Sequence, residues 1–383
     1  MSQKIGKKGV KTVSKTKDQK AKAEAPKVLK FYEKKEVPPL PPPGKMKICI
    51  VGTGAIGGLV AGYLKSKVRN VTAIATNEQL RAIRQDGIHI SGVKGDIWLD
   101  LDIRSQLEMK FDLVILAVKT QDIQKVVDEN RQYLENTLIM TTQNGVQADK
   151  ILSKSFDQGN IISSIVMFGS TYLKPGYITH NFDGKWIIGK PFTKNDEKLE
   201  QIKYELSPAF EVVIVDNIMG MKWTKLFLNL NNCIPALLGL SMQETFSNLE
   251  MTKLSIILLK EAFKVVDNEK IKLENLPDFD IAKYRGLVAM PLEEAAKVFS
   301  QIMVGLSKEP LYGSILQSIK RNRPSEIDYI NGEIARLGQM GLEGAVLNTR
   351  MTHLVHQVEK TKKFFTIEEL KKMFQYALNP MKL

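Results

Sequence analysis

The sequence of 383 residues has only two cysteines, Cys49 and Cys233, and neither belongs to a CxxC pair. That argues against a disulfide framework and a thiolate zinc site, and fits a reducing compartment. Long apolar runs are missing too: none approaches the ~20 residues needed to span a bilayer. The start of the chain lacks an apolar segment of signal-peptide type, and its first 45 residues contain no arginine, so neither secretion nor a transit peptide is expected. The expectation is a cytoplasmic protein.

A basic body is also lacking, although the formal charge is +13. Residues 1–45 carry thirteen lysines against Asp18, Glu24, Glu33 and Glu36, which leaves +4 for the other 338 residues. A nucleic-acid-binding surface is therefore not expected. Residues 1–37 are weakly apolar and read as disordered, and "VPPLPPPG" (37–44) reads as a stiff spacer. A solvated tail whose removal (1–45) leaves folding and turnover intact is the expectation. A proline-motif ligand or an anchor on acidic surfaces is the alternative.

What the chain does have begins at Met46. "KICIVGTGAIGGLVAGYL" reads as strand, glycine turn and helix. "NVTAIAT" (70–76), "FDLVILAVK" (111–119) and "TLIMTTQNG" (137–145) are apolar runs of the kind that fills a parallel sheet. "GIHISGVKGDIWLDLDI" (87–103) alternates like a hairpin, and strand patterns end with "FEVVIVDN" (210–217). Helical periodicity follows over 219–240, 249–268, 291–305, about 309–321, and 324–340 after Pro324. The reading is an α/β protein: a Rossmann-type dinucleotide-binding domain over 46–216, then an all-helical substrate domain over 217–360. An amphipathic extension over 361–383 starts a helix at Thr366, with Glu369 at capping-box spacing. It is expected to pack on the helical domain, with partner binding as the alternative.

The turn running from Gly52 through Thr53, Gly54, Ala55 and Ile56 to Gly57 is GxGxxG between a strand and a helix. In that setting the first glycine makes the turn, the second admits a pyrophosphate, and the third lets helix and sheet pack closely. An NAD enzyme usually ends its second strand with Asp or Glu; here Ile74, Ala75, Thr76 and Asn77 stand there. With Arg81 and Arg84 just beyond, NADPH is expected as the cofactor.

Ligands of doubly wound sheets bind at the carboxyl ends of strands, where Lys119 and Asn144 fall. The stretch "MKWTKLFLNLNNCIPAL" (221–237) then sets polar groups into an apolar helix. Lys225, Asn229 and Asn232, at i, i+4 and i+7, share one face and suit a cleft wall. His353 and His356 lack a ligand pattern and read as surface or packing residues, so no metal is expected.

"VGTGAIGG", "LAVKTQD", "TTQNGV", "KWTKLFLN", "SILQSIKRNRPSEIDYINGEI" and "NTR" (348–350) together resemble the ketopantoate reductase family (2-dehydropantoate 2-reductase) across about 46–358. The resemblance implies reduction of a small-molecule 2-keto acid, ketopantoate, by NADPH on the pathway to pantothenate and coenzyme A. It implies Lys225 as general acid, with Lys119 and Asn144 organising the cofactor and the lysine, and Asn144 also near substrate. Asn229 would orient substrate, Glu326 would meet its hydroxyl beside the cofactor, and Ser314 its carboxylate. Homodimerisation is left open. Two departures stand out: Cys233 replaces the family's second asparagine, for which Asn232 is the candidate substitute, and a family arginine near Thr76 is absent. Pro235 is expected to kink the helix. A related reductase of another branched 2-keto acid, or a non-catalytic nucleotide-binding Rossmann protein, are the competing readings.

Overall fold

The computed structural model describes residues 39–67, 70–341 and 344–378. The segment read above as disordered, 1–37, lies outside the described residues. The first half of the body alternates strands and helices: β1 (Ile48–Val51), α1 (Ala55–Lys67), β2 (Val71–Ile74), α2 (Asn77–Asp86), β3 (Ile88–Gly92), β4 (Ile97–Leu99), β5 (Asp102–Arg104), β6 (Leu113–Leu116), α3 (Ile123–Leu134), β7 (Leu138–Thr141), α4 (Gln147–Ser153), β8 (Ile161–Val166), β9 (Gly169–Lys174), β10 (Tyr177–Phe182), β11 (Trp186–Gly189), α5 (Glu197–Leu206) and β12 (Val212–Ile214).

Eight strands form one sheet in the order β12-β11-β8-β7-β6-β1-β2-β5, parallel except where β8 meets β11. Its inner strands β1, β2, β6 and β7 are buried at every position, which is why they read as unbroken apolar runs. Ile48 and Ile50 face Leu59 and Leu64 of α1, whereas Cys49 and Val51 face Ile123 and Val127 of α3. The expected hairpin over 87–103 is real only in part. β3 and β4 pair antiparallel (His89 opposite Trp98), but β5 leaves them to pair with β2. β4, β3, β10 and β9 make a separate four-stranded sheet.

The second half is helical: α6 (Ile218–Leu230), α7 (Cys233–Leu238), α8 (Met242–Phe246), α9 (Leu249–Asn268), α10 (Ile281–Ala289), α11 (Leu292–Val304), α12 (Ser314–Lys320), α13 (Asn331–Met340), α14 (Val346–Thr361), α15 (Ile367–Met373) and α16 (Gln375–Leu378). α6 is wedged between the two halves. Ile218 packs with Ile165 and Ile187 of the sheet, while Leu226, Phe227 and Leu230 enter the helical core with Leu258 and Leu259 of α9.

Three helix expectations change. The run 219–240 breaks at Asn231 and Asn232, one turn before Pro235, whose ring clashes with the carbonyl four residues back and offers no N–H. The run 324–340 begins as a short 3-10 turn, Ile327–Tyr329, so Glu326 precedes it rather than sitting in the first turn of an α-helix. The run 366–378 divides at Phe374, and its capping box forms: the Thr366 hydroxyl accepts from Glu369 N at 3.2 Å, and Thr366 N donates to the Glu369 carboxylate at 2.7 Å. Leu370, Phe374 and Leu378 bury themselves in the helical core, as the packing reading of the extension expected.

The end of the proline spacer touches the body. Leu40 packs on the Rossmann core, and Gly44 N donates to the buried Glu205 carboxylate at 2.6 Å.

Candidate functional site

The glycine turn opens α1 at the carboxyl edge of β1, where the neighbouring strands β2 and β6 have crossovers on opposite sides. Gly52 has φ +100°, a conformation that favours glycine. A Cβ on Gly57 would lie 1.9 Å from the Gly52 carbonyl oxygen, so only glycine lets α1 start so near the strand. A Cβ on Gly54 would meet nothing within 4 Å: the turn is open on the side where a phosphate would approach. Thr53 Oγ1 is buried beside this opening with no partner, and the first turn of α1 carries no acidic residue. An open glycine turn, a spare hydroxyl and a helix N-terminus fit the diphosphate of a dinucleotide.

Lys119 follows β6 and Asn144 follows β7, so both reach the same edge. Gln143, which sequence reasoning passed over, locks these two loops together. Its buried amide donates to the carbonyls of Leu116 and Val118, each at 2.8 Å. Gly145 has φ +77°, and a Cβ there would lie 2.3 Å from the Tyr329 carbonyl oxygen, so this loop presses directly on the helical half.

α6 brings its polar face to that edge. Asn229 donates to Asn144 Oδ1 at 3.5 Å, and Asn232 donates to Asn229 Oδ1 at 3.2 Å, forming an amide chain from the end of β7 along the helix. The half-buried Lys225 donates to the Val166 carbonyl at the end of β8. Burial pulls its pKa from an ordinary 10.5 down to about 8; the Lys222 ammonium adds to the fall and Glu326 opposes it. Cys233 turns the other way. It is fully buried in the helical core, donates to the Leu230 carbonyl at 3.1 Å, and burial pushes its thiol pKa up to about 12.

The facing wall is the segment from α12 to α13. Glu326 Oε1 accepts from the Thr120 hydroxyl at 2.8 Å and Thr120 N at 3.1 Å. Lys119 donates to Ser318 Oγ at 3.0 Å and to the Pro324 carbonyl; desolvation lowers its pKa, against the pull of Glu326. Ser314 is the exception among the expected site residues. It is exposed at the start of α12 and reaches the amide chain only through its neighbour Gly313, which packs on Asn232. The space between Asn144, Ser164, Lys222 and Lys225 is about 10 Å³, room for roughly one water. This space, lined by the sheet edge and α6 alone, is too small for a keto acid.

Sequence reasoning also missed a buried ion pair behind the lysine. Lys222 Nζ lies 2.9 Å from Asp149 on α4, and both side chains are almost fully buried. Asp149 accepts further from the hydroxyls of Thr141 (2.6 Å) and Ser163 (2.7 Å). The only hint in the sequence is that Lys222, three residues before Lys225, belongs to the same polar interruption of an apolar helix.

Outside this cleft, the Arg84 guanidinium donates to the Ile103 carbonyl at 3.3 Å, while Arg81 is exposed on α2. His353 is exposed, and His356 pairs with Asp328 and Glu359 at 2.9 Å each. No group of His, Cys, Asp and Glu suited to a metal occurs among the described residues.

Comparison with known proteins agrees with this architecture. The family ketopantoate reductase PanE/ApbA matches residues 48–191, and its C-terminal counterpart matches 217–359. The 2-dehydropantoate 2-reductase of Pyrococcus horikoshii is 28% identical over 320 residues, covering 82% of this chain and 98% of that protein. Among solved structures, D-mandelate dehydrogenase with NADH and anilino(oxo)acetate superposes with a TM-score of 0.72 at 24% identity, over 82% of this chain and 99% of that one. The PanE/ApbA family ketopantoate reductase from Ralstonia eutropha gives 0.70 at 23% identity, over 83% and 99%. At such identities the two structures speak for the fold.

Proposed function

The chain belongs to the ketopantoate reductase family of oxidoreductases, and on that premise we propose that it reduces the 2-keto group of ketopantoate with NADPH. The product is pantoate, a precursor of pantothenate and coenzyme A, made in the cytoplasm. The observation that carries this reading is the half-buried Lys225 beside the Asn144–Asn229–Asn232 amide chain, on the sheet edge that also bears the open glycine turn.

A dinucleotide, when bound, would supply a hydride to the keto carbon. Negative charge then develops on the carbonyl oxygen, and the Lys225 ammonium stabilises it and delivers the proton from Nζ. Asn229 holds the substrate beside the lysine, and Asn144 fixes Asn229. Glu326 exchanges its Thr120 partner for the substrate hydroxyl, and Lys119 trades its contacts with Ser318 and Pro324 for the cofactor. Asn232 takes the place of the family's second asparagine, and Ser314 meets the carboxylate once the cleft opens. Gly52, Thr53, Gly54, Ala55, Ile56 and Gly57 would hold the diphosphate. NADPH is favoured over NADH because no carboxylate ends β2 and Arg81 is exposed just beyond it.

The test is NADPH and NADH oxidation measured with ketopantoate and a panel of other 2-keto acids. Highest kcat/KM with ketopantoate and NADPH is the expected result. A better substrate among the other branched 2-keto acids would favour the second reading, which Cys233 motivates: the family's second asparagine is replaced there by a buried thiol. NADPH binding without turnover of any 2-keto acid would point to a nucleotide-binding protein without this chemistry.

A further inference from the structure

Lys222 and Asp149 have no part in the chemistry above, yet they form an ion pair at 2.9 Å with side chains 2% and 0% exposed. Buried pairs are seldom kept for stability alone, since well-packed apolar residues do as well or better. This one is fully furnished. Thr141 and Ser163 donate to the carboxylate, so Asp149 is fixed to β7 and β8, and through it Lys222 is fixed to the Rossmann half. Lys222 lies one turn before Lys225 on α6, and the two ammonium groups line the same small cavity with Asn144 and Ser164.

We propose that Lys222, clamped by Asp149, is a positioning residue for Lys225: it pins the first turns of α6 to the sheet and sets its ammonium beside the proton donor. This rests on the reading of Lys225 as that donor. The charge discourages a second proton-bearing ammonium next to it, so Lys225 gives its proton to a nascent alkoxide more readily. The direction agrees with burial and Lys222 together lowering the Lys225 pKa to about 8. The groups facing Lys225 are few: Lys222 on α6, Glu326 from the segment before α13, the Val166 carbonyl of β8, and Asp149 of α4 behind Lys222. Glu326 acts in the opposite sense, so with the Lys222 charge removed only burial opposes its influence.

The test uses the full chain with Lys222→Arg and the double variant Lys222→Met/Asp149→Asn, which removes both charges and strands neither. Lys225 is titrated directly by competitive acetylation with acetic anhydride across pH 6–11, read by peptide mass spectrometry. NADPH binding is followed by fluorescence to confirm folding. In the double variant the Lys225 midpoint should rise by about one pH unit, with the alkaline limb of kcat moving alike. Lys222→Arg should stay at the wild-type midpoint. A folded double variant with an unmoved Lys225 midpoint overturns the proposal. The labelling needs no turnover, so a wild-type protein inactive on every 2-keto acid would fault the reading of the reaction. A midpoint that moves while the kcat limb stays still would show that Lys222 tunes a lysine that is not the proton donor, which also overturns it.

Discussion

The Glu326 carboxylate accepts twice from Thr120, from its hydroxyl at 2.8 Å and its backbone N–H at 3.1 Å, and so ties the loop after β6 to the opposite wall. It is also the one group that raises the Lys225 pKa, against burial and Lys222. Glu326→Gln should therefore lower kcat/KM by roughly 10–100-fold through the lost charged acceptor. It should also move the alkaline limb of the reduction to lower pH, since Lys225 then keeps its proton less well. A pH–rate profile of the variant checks both, and an unmoved limb would place Glu326 outside the electrostatic surroundings of the lysine.

The proposed acid role requires Lys225 protonated, and its pKa is drawn down to about 8. Reductive kcat should be level at pH 6–7 and fall as pH rises through about 8, approaching tenfold per unit above it, while pantoate oxidation gains over the same window. Lys225→Ala should cut kcat by at least ~100-fold. Its NADPH dissociation constant should change little, because the glycine turn sets it. Steady-state kinetics with fluorescence titration decide the matter, and a near-normal kcat in the alanine variant would remove Lys225 from the role of acid.

The amide chain separates Asn232 from its neighbour Cys233. Asn232 touches Asn229, whereas Cys233 lies in the core. Asn229→Ala should raise KM and lower kcat, Asn232→Ala should raise KM, and Cys233→Ala should leave both near wild type. A silent Asn232→Ala beside a damaged Cys233→Ala would assign the second substrate contact to the thiol position.

How far the sequence could be read follows from where its signals are local. β1, β6 and β7 announce themselves because burial on both faces demands apolar runs, and Lys119 and Asn144 could be placed because they end such runs. Lys225, Asn229 and Asn232 were legible as one polar stripe, although the helix under them breaks. The rest depends on contacts between residues distant in the chain. Asp149 and Lys222 are 73 residues apart and Thr120 and Glu326 are 206 apart, and no periodicity links either pair. Glu326 was misplaced on a helix because Pro324 looks like a helix start, while the chain there is held by contacts to Thr120 and, through Ser325 N, to Glu359.

The tail expectation becomes narrower. Deleting residues 1–38 should leave turnover and melting temperature unchanged. Deleting 1–45 also removes Leu40 from the core and the Gly44 donor from the buried Glu205 carboxylate. Leaving such an acceptor unpaired costs roughly 1–3 kcal/mol. Denaturation of the two truncated proteins compares them, and equal stability would mean that residues 39–45 contribute nothing.

Asn331 belongs to the stretch "EIDYINGEI", but its contacts are architectural. Its buried amide donates to the Leu230 carbonyl at 3.1 Å and to Asn348 Oδ1 at 3.0 Å. The first bond adds a strong donor to a carbonyl that, where α6 stops short before Pro235, otherwise has only the Cys233 thiol. The second reaches a clamp at the start of α14, where Glu261 accepts from the backbone N–H groups of Leu347 and Asn348, each at 2.8 Å. One side chain thus joins the end of the lysine-bearing helix to α14 and, through Glu261, to α9. Asn331→Leu fills the space but strands the Asn348 Oδ1 acceptor, at about 1–3 kcal/mol, and leaves the Leu230 carbonyl with only the weak Cys233 thiol donor. The variant should lose about 1–3 kcal/mol of stability in urea denaturation while keeping its NADPH affinity, since the glycine turn is untouched. Wild-type stability in Asn331→Leu would mean that the break in α6 needs no cap from α13.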